Sequence, residues 1–227
     1  TTNGTNCEFI SLSQRNLIKK PSNISFESAA SFSLAGQTSY QMLINRAKLK
    51  KDDIVFIWGA SSGVGSFGLQ IAKAYGCKVI ATAGSKKKCE YASELGADLS
   101  LNHYKDDITS LVKDYTKGKG VNVVFEHPGL ETWKTSMKIL SRYGRLVTCG
   151  STTGPIVSID LRHIFFKQQS ILGSTMGTLS ALNGIINFIE HGKVVPVVDK
   201  IFPMRNIAEA HKYVENSNQF GKVVLVP

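Results

Sequence analysis

Ile54-Val55-Phe56-Ile57-Trp58-Gly59-Ala60-Ser61-Ser62-Gly63-Val64-Gly65 reads as a buried strand running into a turn of small side chains, with an apolar helix from Ser66 to Tyr75 behind it. Mostly tiny side chains between Gly59 and Gly65 let backbone N–H groups close on a pyrophosphate at the helix N-terminus, where unpaired amides and the helix dipole favour an anion. The strand–turn–helix context makes this a nucleotide-binding signal rather than a stray cluster of glycines. The strict G-x-G-x-x-G pattern is not met: counted back from Gly65, its three positions hold Ala60, Ser62 and Gly65. An ordinary tight turn between strand and helix has the same composition, so the segment alone leaves that reading open.

Working outward, strands and helices alternate. After the helix from Ser66 come strand Lys78–Thr82, helix Lys86–Leu95, strand Leu99–Asn102, helix Ile108–Thr116, strand Val121–Glu126, helix Glu131–Leu140, and strands Arg145–Cys149 and Ser170–Gly173. Runs such as Val79-Ile80-Ala81 and Asn122-Val123-Val124-Phe125 have no period-two polarity, which indicates strands covered on both faces. Gly76 and Gly96 follow helices at positions where a left-handed residue ends the turn. The alternation predicts an α/β fold, a doubly wound parallel sheet with right-handed crossovers placing helices on both faces. Both ends break the pattern. Residues 1–36 hold a strand-like Glu8–Leu12 and a helix from Phe26. After Gly177 come helix Leu179–Glu190, strand Val197–Phe202, helix Asn206–Glu215 and strand Lys222–Val226. These flanks read as pieces of a second domain.

The bulk properties narrow the class. The chain has 227 residues, 42% of them apolar and 19% charged, the balance of an ordinary globular protein able to bury a substantial core. No apolar run reaches the roughly 18 residues that span a bilayer. The polar Thr1–Asn6 start has neither the basic opening nor the apolar core of a signal peptide. Without an initiator methionine, the chain reads as processed or cut from something longer. A formal charge of +10 invites a nucleic-acid reading, but the lysines are scattered and do not alternate with aromatics as a stacking platform requires. A cofactor phosphate and a solvated surface account for the charge, and no nucleic-acid partner is expected. Cys7, Cys77, Cys89 and Cys149 show no paired spacing and suit a reducing cytoplasm. Cys149, ending an apolar strand, reads as a small core side chain.

The order Asn16-Leu17-Ile18, Pro21, Phe26-Glu27-Ser28-Ala29-Ala30, Thr38-Ser39-Tyr40, then Gly59-Ala60-Ser61-Ser62-Gly63-Val64-Gly65, resembles the medium-chain dehydrogenase/reductase superfamily. Glu94-Leu95-Gly96-Ala97-Asp98, Gly144-Arg145-Leu146-Val147, Ile171-Leu172-Gly173-Ser174-Thr175-Met176-Gly177 and Phe220-Gly221-Lys222-Val223-Val224-Leu225 keep the same order. The match most resembles the branch of zinc-type alcohol dehydrogenase-like proteins, quinone oxidoreductases and acryloyl- or crotonyl-CoA reductases. It implies a Rossmann domain at residues 37–177 flanked by remnants of a GroES-like catalytic domain. Residues 1–36 would end that domain's first segment and residues 178–227 would return to it, while its larger N-terminal part precedes what corresponds to Thr1.

An NAD-selecting domain usually ends its second strand with Asp or Glu, which accepts from the ribose 2′-OH and repels a 2′-phosphate. Here Lys78–Thr82 runs into Ala83-Gly84-Ser85-Lys86-Lys87-Lys88, with no carboxylate before Glu90. Cations are unfavourable at a helix N-terminus unless an anion meets them, so NADP(H) is chosen over NAD(H). The alternative is that the lysines are simply the solvated first turn of the next helix. The resemblance implies that Ser85, Lys88 and Tyr104 line the 2′-phosphate pocket. It implies that Gly63 and Val64 offer N–H groups to the pyrophosphate beside Ser61 and Ser62, with Lys222 adding a charge. His127, Gly150, Ser151, Gly173, Ser174 and Thr38 would lie at the ribose or nicotinamide end.

Where zinc-binding members place a ligand, this chain has Leu34, flanked by Phe32, Ser33 and Ala35. His103, His127, His163, His191 and His211 show no metal-ligand spacing and read as loop or exposed-helix residues. The expectation is a zinc-independent protein. Without a metal to polarise a carbonyl, hydride delivery to a conjugated acceptor (an enoyl thioester, enone or quinone) is the more tractable chemistry. No general acid is assigned, Tyr40, Tyr104 and His127 being bare candidates. The alternatives are an alcohol dehydrogenase with zinc ligands outside this chain and a non-catalytic dinucleotide binder. Cofactor binding without efficient turnover is expected of this chain alone. Ser170–Gly173 should lie at a sheet border, and exposed edges pair or are covered, so a homodimer through that strand is expected.

Overall fold

The computed structural model describes residues 4–227, so Thr1–Asn3 of the polar start lie outside the described residues. Six parallel strands form one sheet: β1 (Ile54–Ile57), β2 (Lys78–Ala83), β3 (Leu99–Asn102), β4 (Val121–Glu126), β5 (Leu140–Thr148) and β6 (Ser170–Gly173). Their spatial order is β3-β2-β1-β4-β5-β6, so the winding reverses between β1 and β4. This is the doubly wound Rossmann-type arrangement, and β6 lies at its border as the sequence predicts. Helices α1 (Phe26–Tyr40), α2 (Gly63–Ala74), α3 (Lys86–Glu94), α4 (Ile108–Tyr115), α5 (Leu130–Ile139), α6 (Leu161–Lys167), α7 (Leu179–Glu190) and α8 (Ile207–Glu215) complete the chain with a separate parallel pair, β7 (Val198–Pro203) and β8 (Lys222–Val226).

Successive residues of β1 point to opposite faces, and both faces are packed. Val55 and Ile57 join Phe32, Leu43, Phe67, Phe125 and Ile185 in one core. Phe56 and Trp58 join Ile80, Val124, Trp133, Met137 and Leu146 in the other. Burying each such side chain contributes about 1.5–3 kcal/mol. Because neither face of β1 meets water, its sequence carries no alternation.

Several elements depart from the sequence reading. Glu8–Leu12 is not a strand: no neighbouring strand pairs with it among the described residues, and Phe9 is 91% exposed. α2 begins at Gly63, not Ser66, because the Ser62 hydroxyl caps it, accepting from the Gly65 N–H at 2.9 Å. β5 starts at Leu140, five residues early, and absorbs the extra length in a register shift opposite Val121–Val123 with Tyr143 at φ +58°. Cys149 lies just beyond β5, packed against the first core. Helix α6 is unanticipated. So is the π-helical turn Gln41–Arg46 that continues α1. The expected boundary between residues 36 and 37 falls inside α1, which runs through it unbroken. Among the described residues no helix is long and apolar enough to cross a membrane.

Candidate functional site

The carboxyl ends of β1 and β4 diverge at the switch point, the place where doubly wound sheets open a ligand crevice. Gly59 leaves β1 with φ +57°, its N–H donating to the buried Thr82 hydroxyl at 3.1 Å. The Ser62 N–H donates to the Gly59 carbonyl at 2.9 Å, closing the turn. A Cβ on Gly65 would stand 2.2 Å from that carbonyl oxygen, so no side chain fits there. The variant fingerprint thus performs the tight-turn function of the glycine-rich form. Because α2 starts at Gly63, the Gly63 and Val64 amides belong to its first turn, whose N–H groups lack helical acceptors.

β8 anchors this turn from outside the sheet. The Gly221 N–H donates to the Ser61 carbonyl at 2.8 Å. A Cβ on Gly63 would fall 2.8 Å from Lys222 Cδ, so the Lys222 stem lies across the helix N-terminus. An anionic group at the turn would meet backbone donors, the positive end of α2 and that ammonium.

An open cleft of about 940 Å³ runs from here to the end of β2. Of the sequence-selected residues, Ser61, Ser85, Lys88, Tyr104 and His127 line it. The Ser85 hydroxyl caps α3 by accepting from the Lys88 N–H at 3.3 Å. The Lys88 ammonium donates to the Ser217 carbonyl, and burial lowers its pKa while Asp199 partly restores it. Tyr104 is 79% exposed at the rim. His127 directs Nε2 at the Trp58 carbonyl (2.9 Å) and the Ser62 hydroxyl (3.3 Å); burial lowers its pKa, so the neutral imidazole is favoured.

The remaining selected residues do not line the cleft. Thr38 turns back into α1, donating to the Leu34 carbonyl at 2.7 Å. A Cβ on Gly150 would lie 2.9 Å from the His127 carbonyl oxygen, and the Ser151 carbonyl accepts from the Gly154 N–H at 3.1 Å. The Gly173 carbonyl accepts from Arg46 Nε at 2.8 Å. The Ser174 amide donates to the Thr148 carbonyl at 2.9 Å, leaving its buried hydroxyl without a protein partner. Thr38 lies in the last turn of α1, Gly150 and Ser151 just past β5, and Gly173 and Ser174 at the carboxyl end of β6. The glycine cradle at Gly59–Gly65 and the orphaned Ser174 hydroxyl both suit a long ligand bearing phosphates and polar substituents.

Sequence reasoning missed His103, Asp199, Tyr213 and Phe220. His103 is half-buried in the cleft wall rather than an exposed loop residue. The Tyr213 hydroxyl donates to Asp199 at 2.7 Å, and Phe220 packs on Tyr91 with ring centroids 5.4 Å apart. Beneath the cleft, Glu126 is fully buried, accepting from the Gly129 N–H at 3.1 Å and from the Thr132 hydroxyl. Burial raises its pKa. Zinc finds no matching donors: among the described residues no three His, Cys, Asp or Glu side chains converge, and Leu34 is 56% exposed hydrocarbon.

The family model described as zinc-binding dehydrogenase matches residues 63–191, from the first turn of α2 through the end of α7. The chain belongs to this family. The medium-chain dehydrogenase/reductase resemblance is therefore borne out. Quinone oxidoreductase 1 of Escherichia coli is 31% identical to the family member described here, over 91% of this chain and 67% of its own. A crystal structure of an NAD-dependent alcohol dehydrogenase superposes with a TM-score of 0.92 at 37% identity, over 99% of this chain and 66% of that one. The 2-octenoyl-CoA carboxylase reductase CinF, in complex with NADP and 2-octenoyl-CoA, gives 0.85 at 34% identity, over 92% and 51%. The chain spans about half the length of the first curated relatives it matches, 54% and 51%.

Proposed function

We propose that this chain is the cofactor platform of an NADPH-dependent oxidoreductase that delivers hydride to an activated double bond or quinone without zinc. The observation that carries this reading is the end of β2. Gly84 stands where an NAD-selecting domain presents a carboxylate, and Ser85 and Lys88 follow in the cleft wall. Gly63, Val64, Ser61, Ser62 and Lys222 would hold the pyrophosphate. Ser85, Lys88 and Tyr104 would take the 2′-phosphate. His127, Gly150, Ser151, Gly173, Ser174 and Thr38 are assigned to the ribose and nicotinamide end.

A bound nicotinamide supplies the hydride. This chain's residues hold and orient it, and the groups that receive substrate lie largely outside residues 1–227. On this reading residues 1–36 and 178–227 belong with a GroES-like catalytic unit. CinF, with its bound NADP and enoyl thioester, supports both cofactor and substrate class, and the quinone oxidoreductase supports the second acceptor. The test is parallel titration with NADPH and NADH. Wild type should favour NADPH by at least about tenfold, the weight of one good charge-assisted contact. Lys88→Glu and Ser85→Asp should each erase that preference, and an unchanged preference removes the 2′-phosphate assignment.

The alcohol dehydrogenase at 37% identity, NAD-dependent by its description, supports a second reading: an alcohol dehydrogenase whose zinc ligands lie outside this chain. Metal analysis of the longer protein separates the two. Stoichiometric catalytic zinc with NADH preference selects the dehydrogenase; enoyl-CoA or quinone turnover with NADPH selects the reductase.

A further inference from the structure

The end of β2 holds a feature that the lysines and serine do not account for. Gly84 has no side chain, and the space one would fill is already occupied. A Cβ there would lie 3.0 Å from the Tyr104 ring and 3.4 Å from His103 Nε2. The polar group at this corner therefore comes from the end of the neighbouring strand, β3. His103 follows Asn102, its backbone N–H donating to the Ala83 carbonyl at 3.2 Å, so strand pairing carries it to the cleft. Its ring is wedged against Tyr104 (centroids 4.4 Å apart, edge-on) and tilted towards Trp58 (6.5 Å).

The tautomer of this ring follows from its neighbour. His103 Nδ1 lies 3.4 Å from the Thr82 hydroxyl. That hydroxyl accepts from the Gly59 N–H at 3.1 Å, and Nδ1 is the one acceptor within reach of its own proton among the described residues. Thr82 thus donates to Nδ1, and the ring's proton resides on Nε2, beside Gly84 at the cleft wall. One buried hydroxyl links the dinucleotide turn to this histidine. Burial and then the nearby Lys88 lower the His103 pKa, so its neutral form is favoured at rest. Other ionisable groups lining the cleft are Lys87 and Lys88 of α3, Tyr91, Tyr104, Asp106 and Asp107 after β3, His127 and Glu131 around β4, and Asp199 and Tyr213 of the C-terminal segment.

We propose that His103 is a specificity-determining residue whose Nε2–H reads the substituent on the adenosine ribose, taking up a proton from solvent when that substituent is a phosphate dianion. The inference rests on the dinucleotide reading above. A neutral donor satisfies either a hydroxyl or a phosphate oxygen. An imidazolium is favoured only beside the phosphate, which carries about −1.5 to −2 charges near neutrality. Proton uptake makes the affinity pH-dependent: the bound form holds a proton the free form lacks, so binding strengthens as pH falls through the bound-state pKa. Near pH 6 the phosphate's own protonation opposes the trend.

The experiment follows the His103 ring proton resonance of the 227-residue chain against pH, free and with saturating NADPH or NADH, together with both dissociation constants. NADPH should raise the His103 midpoint by about one unit and NADH leave it in place. NADPH affinity should then rise from about pH 8 to about pH 6.5 by up to about fourfold, short of the tenfold that a one-unit shift reaches only well below both midpoints. His103→Gln keeps a donor but cannot charge, so it should flatten the NADPH profile. An unmoved midpoint, or an unchanged profile in His103→Gln, overturns the histidine assignment while leaving an NADPH preference standing. A wild-type preference for NADH overturns the 2′-phosphate reading and this inference with it.

Discussion

Gly65 shows how sharply one atom can decide a site. A methyl there would meet the Gly59 carbonyl oxygen at 2.2 Å, closer than any contact can be, and that oxygen is backbone that cannot swing aside. Gly65→Ala should therefore displace the turn, cost on the order of 2 kcal/mol of stability and weaken dinucleotide binding more than tenfold. Denaturant unfolding and nucleotide titration measure the two effects. Glu126 is the opposite kind of residue, a buried carboxyl whose pKa burial raises. The folded state then binds a proton the unfolded state has released. Its contribution is complete below the ordinary carboxyl value and declines as pH rises through the raised one. Glu126→Gln keeps an acceptor for the Gly129 N–H and removes the titration. The expected result is a melting temperature that falls less than wild type's between pH 5 and pH 8. Gly65 was legible as a fingerprint position. His103 was not, because its importance depends on Thr82 and Gly84, residues on another strand.

Among the elements, α2 matters most to the site, and its start was misplaced by three residues. The sequence GVGS contains two glycines, poor helix formers, so propensity alone does not carry the helix back to Gly63. The Ser62 cap overrides that propensity by satisfying the Gly65 amide. Ser62→Ala should destabilise the protein by about 1 kcal/mol and weaken dinucleotide binding by loosening the first turn. A variant with unchanged unfolding midpoint and unchanged affinity would remove the cap from the account. β2 and β4 were legible nearly to the residue because buried apolar runs and flanking glycines mark their ends. Helix α6 has seven residues and opens on Asp160 alone, whose carboxylate accepts from the Arg162 N–H at 3.0 Å. So short an element shows little periodicity. Glu8–Leu12 failed for the converse reason: a strand-like composition forms no strand without a partner to pair with.

For the whole molecule, the border strand β6 and the preceding α6 leave Leu161, Phe165 and Phe166 exposed. Pairing of two copies along β6 would cover an open edge. Sedimentation of the wild-type chain should show a dimer, and Phe166→Glu should weaken it at least tenfold if α6 joins the interface. A monomer at every concentration would reject the edge-pairing expectation. The sequence by itself determined the doubly wound sheet, the position of the nucleotide turn and the absence of a carboxylate after β2. Each is written in contiguous residues, where local propensity and strand burial decide. Only the tertiary structure decided what completes the cleft. Lys222 crosses the α2 N-terminus, the Ser217 carbonyl takes the Lys88 ammonium, and Asp199 and Tyr213 join the far wall. Those groups come from β7 to β8, more than a hundred residues from the turn they meet, and packing rather than chain neighbourhood brings them there.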